Sequence, residues 1–351
     1  MIKTIQKNFG DNLKQLRILK NFTQEDLANI SGIDRAQISR IERGSVNVTL
    51  ETITKLKNAL EVDFSKLINA ELSYNAKPFV KWAGGKTQIL PKIKEFLPKD
   101  FNNYYEPFVG GGALFFELKP KNAYINDFNN DLILAYKCFL NKIEFDNLKK
   151  ELIKHEFNHN ENYFYQIREM DKSEKFNELE SWIKAARMIY LNKSCFNGLY
   201  RVNSKGFFNV PFGKKEKIKT FEEENFEAIR HLFNKNNIKI TNLDFEESVK
   251  DAMMGDFVYF DPPYDIFPDK NGFVNYDKNG FDKEKQIRLR DCVINLTKKG
   301  VKVMISNHNT DFIREIYKDF KINVIYAKRS INSRGNGRGE VQEVIITNYE
   351  E

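Results

Sequence analysis

The sequence predicts an α/β domain with a mostly parallel sheet, preceded by a small all-helical domain. Two patterns support this fold class. In residues 1–70, apolar residues recur at helical spacing between helix-capping residues. After residue 77, short β-rich runs alternate with helical stretches. The mixed segment 71–77 is predicted to be a linker, and 351 residues suffice for two or three domains.

Composition excludes several classes of protein. The three cysteines lie far apart with no C-x-x-C pair, so neither a zinc ribbon nor a redox motif is expected, and a cytoplasmic location fits. The N-terminus lacks the apolar run of a signal peptide, and no segment approaches the ~18 apolar residues of a membrane span. The net charge of +7 permits nucleic acid as a partner without requiring it.

Capping residues divide the N-terminal part into four helices. Thr23, with Asp26 three residues later, predicts a capping box, and Gly32 predicts the end of that helix. Asp34 can cap a third helix that stops at Gly44. The fourth helix follows Thr49, with four residues predicted to face inward: Leu50, Ile53, Leu56 and Leu60. Two short helices joined by a glycine-containing turn are typical of a helix-turn-helix.

Residues 23–44, with the pattern T-Q-E-D-L-A-x-x-S-G-x-D-x-x-x-I-S-R-I-E-R-G, closely resemble lambda-repressor-like (XRE-type) DNA-binding domains. The resemblance implies that the third helix enters the major groove and that Gln24 lies near the phosphates. The implied DNA-contacting residues are Arg35, Gln37, Ser39 and Arg40. The alternative is a helical bundle with a solvated polar face, on which Arg40, Glu42 and Arg43 pair with one another.

Seven β-rich runs are predicted to be strands of the second domain: 104–108, 123–126, 238–243, 257–260, 301–305, 322–327 and 341–347. A long insert, residues 135–235, separates the second run from the third and is mainly helical, for example over 179–191. The sheet domain therefore comprises residues 78–134 and 236–351.

A glycine-rich turn follows the first predicted strand and precedes a helix. Gly110, Gly111 and Gly112 allow a close approach of backbone to ligand, and Asp127 ends the next strand, where an acid can bind ribose hydroxyls. A nicotinamide enzyme, or a tight turn without ligand, would fit this feature alone. However, Phe115 replaces the last glycine of G-x-G-x-x-G, and Glu106 before the turn suits a cationic ligand such as S-adenosylmethionine.

The sequence D-P-P-Y follows the apolar strand 257–260. Its prolines, Pro262 and Pro263, fix φ and lack N–H groups, so the turn holds carbonyl oxygens beside the Asp261 carboxylate. Asp261 and the Pro262 carbonyl could accept both hydrogens of an adenine amine, while Tyr264 stacks on the base. Inside a duplex, that base must first be flipped out. The alternative is a simple turn after a strand.

Residues 78–349 resemble the D12-class (Dam-type) DNA N6-adenine methyltransferases, whose motifs occur here in the same order. The resemblance implies a Rossmann-like sheet with helices on both faces, S-adenosylmethionine as cofactor and no metal. W-A-G-G-K matches residues 82–86, E-P-F-x-G-x-G matches 106–112, and later motifs match 306–308 and 328–331. The implied cofactor-binding residues are Trp82, Lys86, Glu106, Pro107, Phe108, Gly110, Gly112, Asp127, Asp244, Phe245 and Asp261.

Residues 190–219 carry seven Lys or Arg, one Glu and interleaved aromatic residues, a pattern that suits DNA phosphates and a flipped base. The alternative is a basic surface over a local aromatic core. The segment resembles the recognition hairpin of the Dam family, which implies GATC as target. The implied base-contacting residues are Lys81, Asn197, Leu199, Arg201 and Pro211. Lys215 stands where the family often has an aromatic residue.

Two weaker features complete the sequence. The basic loop 328–338 is predicted to contact phosphates, with a surface turn as the alternative. His155 and His159 lie four residues apart, a possible metal pair, but without a third ligand we interpret them as solvated.

Three functional hypotheses follow. The first is a site-specific DNA adenine-N6 methyltransferase of a restriction-modification system, acting on double-stranded DNA as a monomer or weak dimer, whose N-terminal domain also regulates its own promoter. The second is a transcription regulator with an inert catalytic domain. The third is N4-cytosine or RNA-base methylation, which the Asp at position 261 disfavours.

Overall fold

The computed structural model describes residues 2–64, 67, 76–267, 281–328 and 340–350. The chain forms two compact units, Met1–Tyr74 and Asn75–Glu351. The predicted linker lies mostly outside the described residues, as does the basic loop after residue 328. No helix in the described part of the chain is long and apolar enough to cross a membrane.

The N-terminal unit contains the four predicted helices, α1 (Ile2–Leu19), α2 (Gln24–Ser31), α3 (Arg35–Glu42) and α4 (Leu50–Leu60). The capping box of α2 is confirmed, because Thr23 and Asp26 bond each other's backbone amides. Gly32 ends that helix at φ +66°. Asp34 caps α3 and Thr49 caps α4, as predicted.

A small apolar core holds these helices together, with Leu13, Leu27, Ile38 and Leu56 fully buried. The prediction that Leu50 faces inward is wrong, because its side chain is 72% exposed. It occupies the first position of α4, outside the packed turns of that helix.

A buried ion pair lies beneath the helix-turn-helix. Arg17 Nε lies 2.6 Å from Glu42 Oε1, and a second guanidinium nitrogen donates to Oε2 at 3.1 Å. Gln24 also donates to Glu42, at 2.7 Å, and both charged residues are under 10% exposed. Glu42 therefore does not pair with Arg40 or Arg43 on the surface, which removes that alternative for this carboxylate.

The second unit is built on a seven-stranded sheet with the order β3-β2-β1-β4-β5-β7-β6. The strands are β1 (Tyr104–Glu106), β2 (Asn122–Asn126), β3 (Asn237–Thr241), β4 (Phe257–Phe260), β5 (Lys302–His308), β6 (Lys321–Lys328) and β7 (Glu340–Thr347). The first five are parallel, and β7 runs antiparallel between β5 and β6. All seven predicted strands are present.

Two strands end earlier than the sequence predicts, β1 at Glu106 and β3 at Thr241. Beyond these strand ends, the side chain of Asn126 forms hydrogen bonds with the backbone in place of strand pairing. Its amide nitrogen donates to the carbonyls of Pro107 and Leu243, and its oxygen accepts the Leu243 amide.

Helices cover both faces of this sheet. The chain continues through α5 (Leu90–Lys94), α6 (Ala113–Leu118), α7 (Asn130–Cys138), α8 (Lys142–Phe157), α9 (Glu161–Glu169), α10 (Ser181–Ser194), α11 (Glu223–Lys235), α12 (Phe245–Ser248), α13 (Lys283–Lys298) and α14 (Asp311–Ile316). On one face, α13 and α14 bury Leu289 and Ile313 against strand residues such as Val258. The opposite face meets α6 and α11, whose Phe115 and Phe233 rings lie 5.7 Å apart.

The segment predicted to be an insert, residues 135–235, contains helices α8 to α10, a hairpin and α11, of which α11 packs against the sheet. Isolated bridges pair Cys195 with Phe212 and Val202 with Phe208, which defines the hairpin over residues 195–212. Arg187 on α10 is 1% exposed and lies 2.7 Å from Asp171, whose carboxylate also accepts the hairpin amide of Phe208. This buried pair fixes the hairpin to the helices.

The interpretation of His155 as solvated is wrong, whereas His159 is half-buried. His155 is 4% exposed, and its Nδ1 lies 2.8 Å from the Tyr163 hydroxyl. Burial lowers the pKa of His155 to about 4, which keeps the ring neutral at neutral pH. Helix α8 ends at residue 157, so His159 lies beyond it and contacts the Tyr190 hydroxyl. Both rings belong to the aromatic packing of the insert.

Candidate active site and DNA-contacting surface

Polar residues gather at one edge of the sheet, where its parallel strands end. Glu106 ends β1, Asp127 follows β2, Asp261 follows β4, and Ser306 lies near the end of β5. The carboxyl ends of parallel strands share one edge, and α/β enzymes bind their ligands there. The fold thus brings the glycine loop, W-A-G-G-K and D-P-P-Y together, although they are far apart in sequence.

The glycine loop is held by Asp127 and covered by Trp82. Asp127 Oδ2 accepts the Gly110 amide at 2.9 Å, and Oδ1 accepts the Asn129 amide at 2.9 Å. Burial raises the pKa of the Asp127 carboxyl, and these two amides oppose that shift. A Cβ on Gly110 would lie 2.8 Å from the Trp82 ring, and φ there is +47°. Glycine at position 110 is therefore required for Trp82 to pack against the loop.

Glu106 is a carboxyl group removed from water. It is 2% exposed and accepts the Tyr104 hydroxyl at 2.7 Å. Burial, reinforced by the nearby Asp261 carboxylate, raises the pKa of Glu106 to about 8, while the Tyr104 hydroxyl and Lys86 oppose the shift. Such a group can be neutral in the free protein and ionise when a cation binds beside it.

Among the residues that the structure describes, Asp261 is held through one of its two oxygens. Oδ1 lies 2.7 Å from Lys86 Nζ and accepts the Ser306 hydroxyl at 2.6 Å. Ser306 in turn lies 3.0 Å from the Tyr259 hydroxyl. Within the described residues, Oδ2 has no hydrogen-bond partner, so it is available to a substrate.

The rest of D-P-P-Y is fixed by contacts from three elements. Gln286 on α13 donates to the Pro263 carbonyl at 2.9 Å. The Tyr264 hydroxyl donates to Glu343 on β7 at 3.1 Å, and Lys86 Nζ lies 4.5 Å from the centre of the Tyr264 ring. The ring lies edge-on to His308, with centroids 4.9 Å apart. These contacts therefore fix the orientation of the tyrosine ring within the protein.

Asp244 and Phe245 lie at the same edge but are engaged in the fold. Asp244 caps α12 and forms an ion pair with Arg288. Phe245 is 6% exposed, and its ring stacks on Phe108 at 5.5 Å. Phe108 is the more exposed ring of the two and so offers the flat apolar surface here.

The hairpin presents its predicted base-contacting residues to solvent. Asn197, Arg201 and Pro211 are exposed, and Leu199 is half-buried. Arg201 Nε donates to Asn209 Oδ1 at 2.8 Å, which holds the guanidinium along the hairpin. Phe196 is an apolar ring left 54% exposed beside Asn197.

In the N-terminal unit, the candidate DNA-contacting face of α3 is accessible. Arg35 and Arg40 are exposed, and Gln37 and Ser39 are half-buried. Arg35 Nε lies 3.5 Å from Glu25, a surface pair that phosphates could displace.

Sequence patterns did not single out the residues that orient the site. Tyr259, Glu343 and Asn192 act through contacts with residues distant in the chain, and no spacing rule links them to D-P-P-Y or W-A-G-G-K. Tyr259 carries a chemical signal, because its hydroxyl lies in the otherwise apolar strand β4, whereas Glu343 and Asn192 lie among other polar residues of β7 and α10.

The sheet and its edge define a Rossmann-like methyltransferase. The chain belongs to the D12 class N6 adenine-specific DNA methyltransferase family, whose model matches residues 82–331. A helix-turn-helix model matches residues 13–67.

Relatives extend over nearly the whole second unit. The chain is 44% identical over 275 residues to the type II methyltransferase M1.LlaDCHI of Lactococcus lactis subsp. cremoris, covering 78% of this chain and 96% of that protein. It is 40% identical over 289 residues to the type II methyltransferase M.MjaIII of Methanocaldococcus jannaschii, covering 78% and 99%. It is 35% identical over 272 residues to the DNA adenine methylase of Salmonella typhi, covering 77% and 94%.

Among solved structures, the restriction-modification controller protein C.AhdI from Aeromonas hydrophila matches 18% of this chain and 94% of its own, at 42% identity and a TM-score of 0.18.

Proposed function

We propose that this protein transfers the methyl group of S-adenosylmethionine to N6 of a flipped-out adenine in GATC duplex DNA. The observation that carries the proposal is the arrangement of Asp261, with Oδ1 bound to Lys86 and Ser306 and Oδ2 available at the ligand-binding edge. S-adenosylmethionine, when bound, supplies an electrophilic methyl group; the other roles fall to residues of this chain.

The residues at this edge fit such a cofactor. Glu106 offers a buried carboxyl to a cationic group, and Asp127 has further lone pairs for hydroxyl groups beside the glycine loop. Trp82 and Phe108 supply flat apolar surfaces. The proposed cofactor-binding set is Trp82, Lys86, Glu106, Pro107, Phe108, Gly110, Gly112, Asp127, Asp244, Phe245 and Asp261.

At the target amine, Asp261 Oδ2 and the Pro262 carbonyl would accept the two N–H hydrogens. This directs the nitrogen lone pair toward the methyl group, so that positioning and electrostatics lower the barrier. Tyr264 would stack on the adenine, and Pro263, held by Gln286, keeps the turn rigid.

On the DNA, the exposed hairpin residues would contact base edges, with Arg201 suited to guanine O6 and N7. Lys81 would contact the outer guanine. Phe196, an exposed aromatic ring beside Asn197, could fill the space left by the flipped base, because Lys215 is not aromatic.

The names of two relatives, type II methyltransferases, favour membership of a restriction-modification system. The matched helix-turn-helix with its exposed Arg35 and Arg40 supports a second role on the protein's own promoter. Footprinting the full chain on the upstream DNA tests this role. A protected operator that Arg40→Ala abolishes would support it, and no protection would refute it.

The test of the main proposal uses labelled S-adenosylmethionine and paired duplexes that contain GATC or GTTC. Label is expected on adenine of the first duplex only. No label on either duplex would refute adenine methylation of this target, and equal label on both would refute GATC as the recognised sequence.

Glu106 predicts a pH dependence of cofactor affinity. A cationic ligand binds the carboxylate form, and below a pKa of about 8 the free protein must first release a proton. The ratio of cofactor affinities, wild type over Glu106→Gln, should therefore rise by up to about tenfold per pH unit until pH reaches about 8, and then level off. Equilibrium titration of both proteins with cofactor, at pH values below and above 8, measures this ratio. Ionisation of the cofactor itself affects both affinities equally and therefore does not change the ratio. A ratio independent of pH would contradict the role of Glu106.

Ser306 predicts a loss of rate without a loss of cofactor binding. Ser306→Ala removes a hydrogen bond to a charged oxygen, so kcat should fall about tenfold or more while cofactor affinity stays unchanged. Single-turnover methylation separates the two quantities. Tyr259→Phe, one bond further away, should show a smaller fall in the same direction. A weaker cofactor affinity with unchanged kcat would contradict this assignment.

A further inference from the structure

We propose that Asn192 is a positioning residue that fixes Lys81 against the recognition hairpin, residues 195–212, and thereby sets discrimination at the base pair contacted by Lys81. The inference rests on the proposed function, in which Lys81 and the hairpin contact bases. Asn192 lies on α10 and is 1% exposed, so it cannot contact DNA itself.

One side-chain amide connects two separate segments of chain. Asn192 Oδ1 accepts the Lys81 amide at 3.0 Å, and Nδ2 donates to the Lys81 carbonyl at 2.7 Å. The same Nδ2 donates to the Gly198 carbonyl at 3.0 Å. Both N–H hydrogens are thus used, one on each segment, and the backbone of Lys81 is bonded much as it would be by a neighbouring strand.

The two segments also touch directly at this point. A Cβ on Gly198, where φ is +66°, would lie 3.1 Å from Lys81 Cδ, so the lysine stem runs across the hairpin backbone. Adjacent to this contact, Trp82 stacks on Tyr200 with centroids 5.1 Å apart. The exposed ammonium of Lys81 therefore starts from a stem fixed relative to Asn197 and Arg201.

Discrimination between base pairs by Lys81 requires that its backbone stay fixed relative to the recognition hairpin. A lysine is a flexible point charge, and without its anchored backbone it would attract phosphates or any base acceptor. Loss of the Asn192 amide leaves Lys81 charged and exposed, so general affinity for DNA persists. Selectivity at one base pair should fall instead.

The chain contains a matched control. Asn225 makes the same pair of bonds to the backbone of Lys77, accepting its amide at 2.8 Å and donating to its carbonyl at 3.1 Å. Among the residues that the structure describes, Asn225 makes no hydrogen bond to the hairpin. Asn225→Ala therefore removes an equivalent anchor four residues earlier in the chain without touching Lys81 or Gly198.

The experiment methylates DNA that carries every variant of the site, using wild type, Asn192→Ala, Asn192→Ser, Lys81→Ala and Asn225→Ala, and maps methylated adenines by sequencing. Asn192→Ala should lower discrimination about tenfold or more at the base pair that Lys81→Ala also relaxes, and by more there than at any other base pair. Asn192→Ser, which can keep one bond, should relax the same pair less. Asn225→Ala should keep the wild-type pattern.

Thermal unfolding and cofactor affinity are measured for each variant to confirm that it is folded. If Asn192→Ala does not fold, the proposal is tested with Asn192→Ser instead. Wild-type discrimination in a folded Asn192 variant would overturn the proposal, as would relaxation spread over all positions or shared by Asn225→Ala. The wild-type pattern tests the GATC assignment separately, since Asn192 and Lys81 can be compared at whatever sequence the enzyme selects.

Discussion

Replacing Asp261 with alanine is expected to lower the rate of methylation by about a thousandfold or more, because both the acceptor for the target amine and the charge opposite Lys86 are lost. In the proposed function, Oδ2 accepts the target amine, and the variant has no group to replace it. Single-turnover methylation with saturating DNA and cofactor measures the chemical step directly.

Asp256, at the opposite end of β4, provides the control for Asp261. It is fully buried, and its carboxylate accepts the Asn103 amide and side chain and the Met253 amide. Asp256→Ala should lower thermal stability while leaving the rate per folded molecule near that of wild type. Methylation by Asp261→Ala at the wild-type rate would contradict the catalytic assignment.

The second large effect is on stability. Glu42→Ala should destabilise the N-terminal unit by about 3–5 kcal/mol, because Arg17 would stay buried without its carboxylate. Gln24 would lose its acceptor as well. The effect is measured by unfolding the full chain in denaturant and using proteolysis at sites within residues 2–64 to detect unfolding of the N-terminal unit.

Two variants make the reason for the loss testable. Asp11→Ala removes an exposed ion pair with Lys7 and should cost at most about 1 kcal/mol. The double variant Arg17→Met with Glu42→Leu should recover much of the lost stability, because an apolar pair of similar volume carries no desolvation cost. Equal losses for Glu42→Ala and Asp11→Ala would contradict the role assigned to burial.

Local patterns account for what the sequence predicts correctly. The caps Thr23, Asp34 and Thr49 act within three residues, and the seven strands are marked by apolar runs between turns. The position of D-P-P-Y is predicted correctly because the carboxyl ends of parallel strands all lie at one edge of the sheet. A motif that directly follows such a strand must therefore lie at that edge.

The errors and omissions involve contacts between distant residues. His155 and His159 look polar in sequence, yet the aromatic residues that enclose them, Tyr163 and Tyr190, come from two other helices. Ser306 reaches Asp261 across 45 positions and Asn192 reaches Lys81 across 111. Periodicity carries no information about which side chains meet over such separations.

The placement of β7 has a consequence for synthesis on the ribosome. Because β7 lies between β5 and β6 and supplies Glu343 to Tyr264, the sheet cannot close until translation has passed Thr347. The four N-terminal helices are complete once Leu60 has emerged. A nascent chain thus contains the residues of its helix-turn-helix long before those of the complete sheet, so the order of translation would separate the two proposed roles in time.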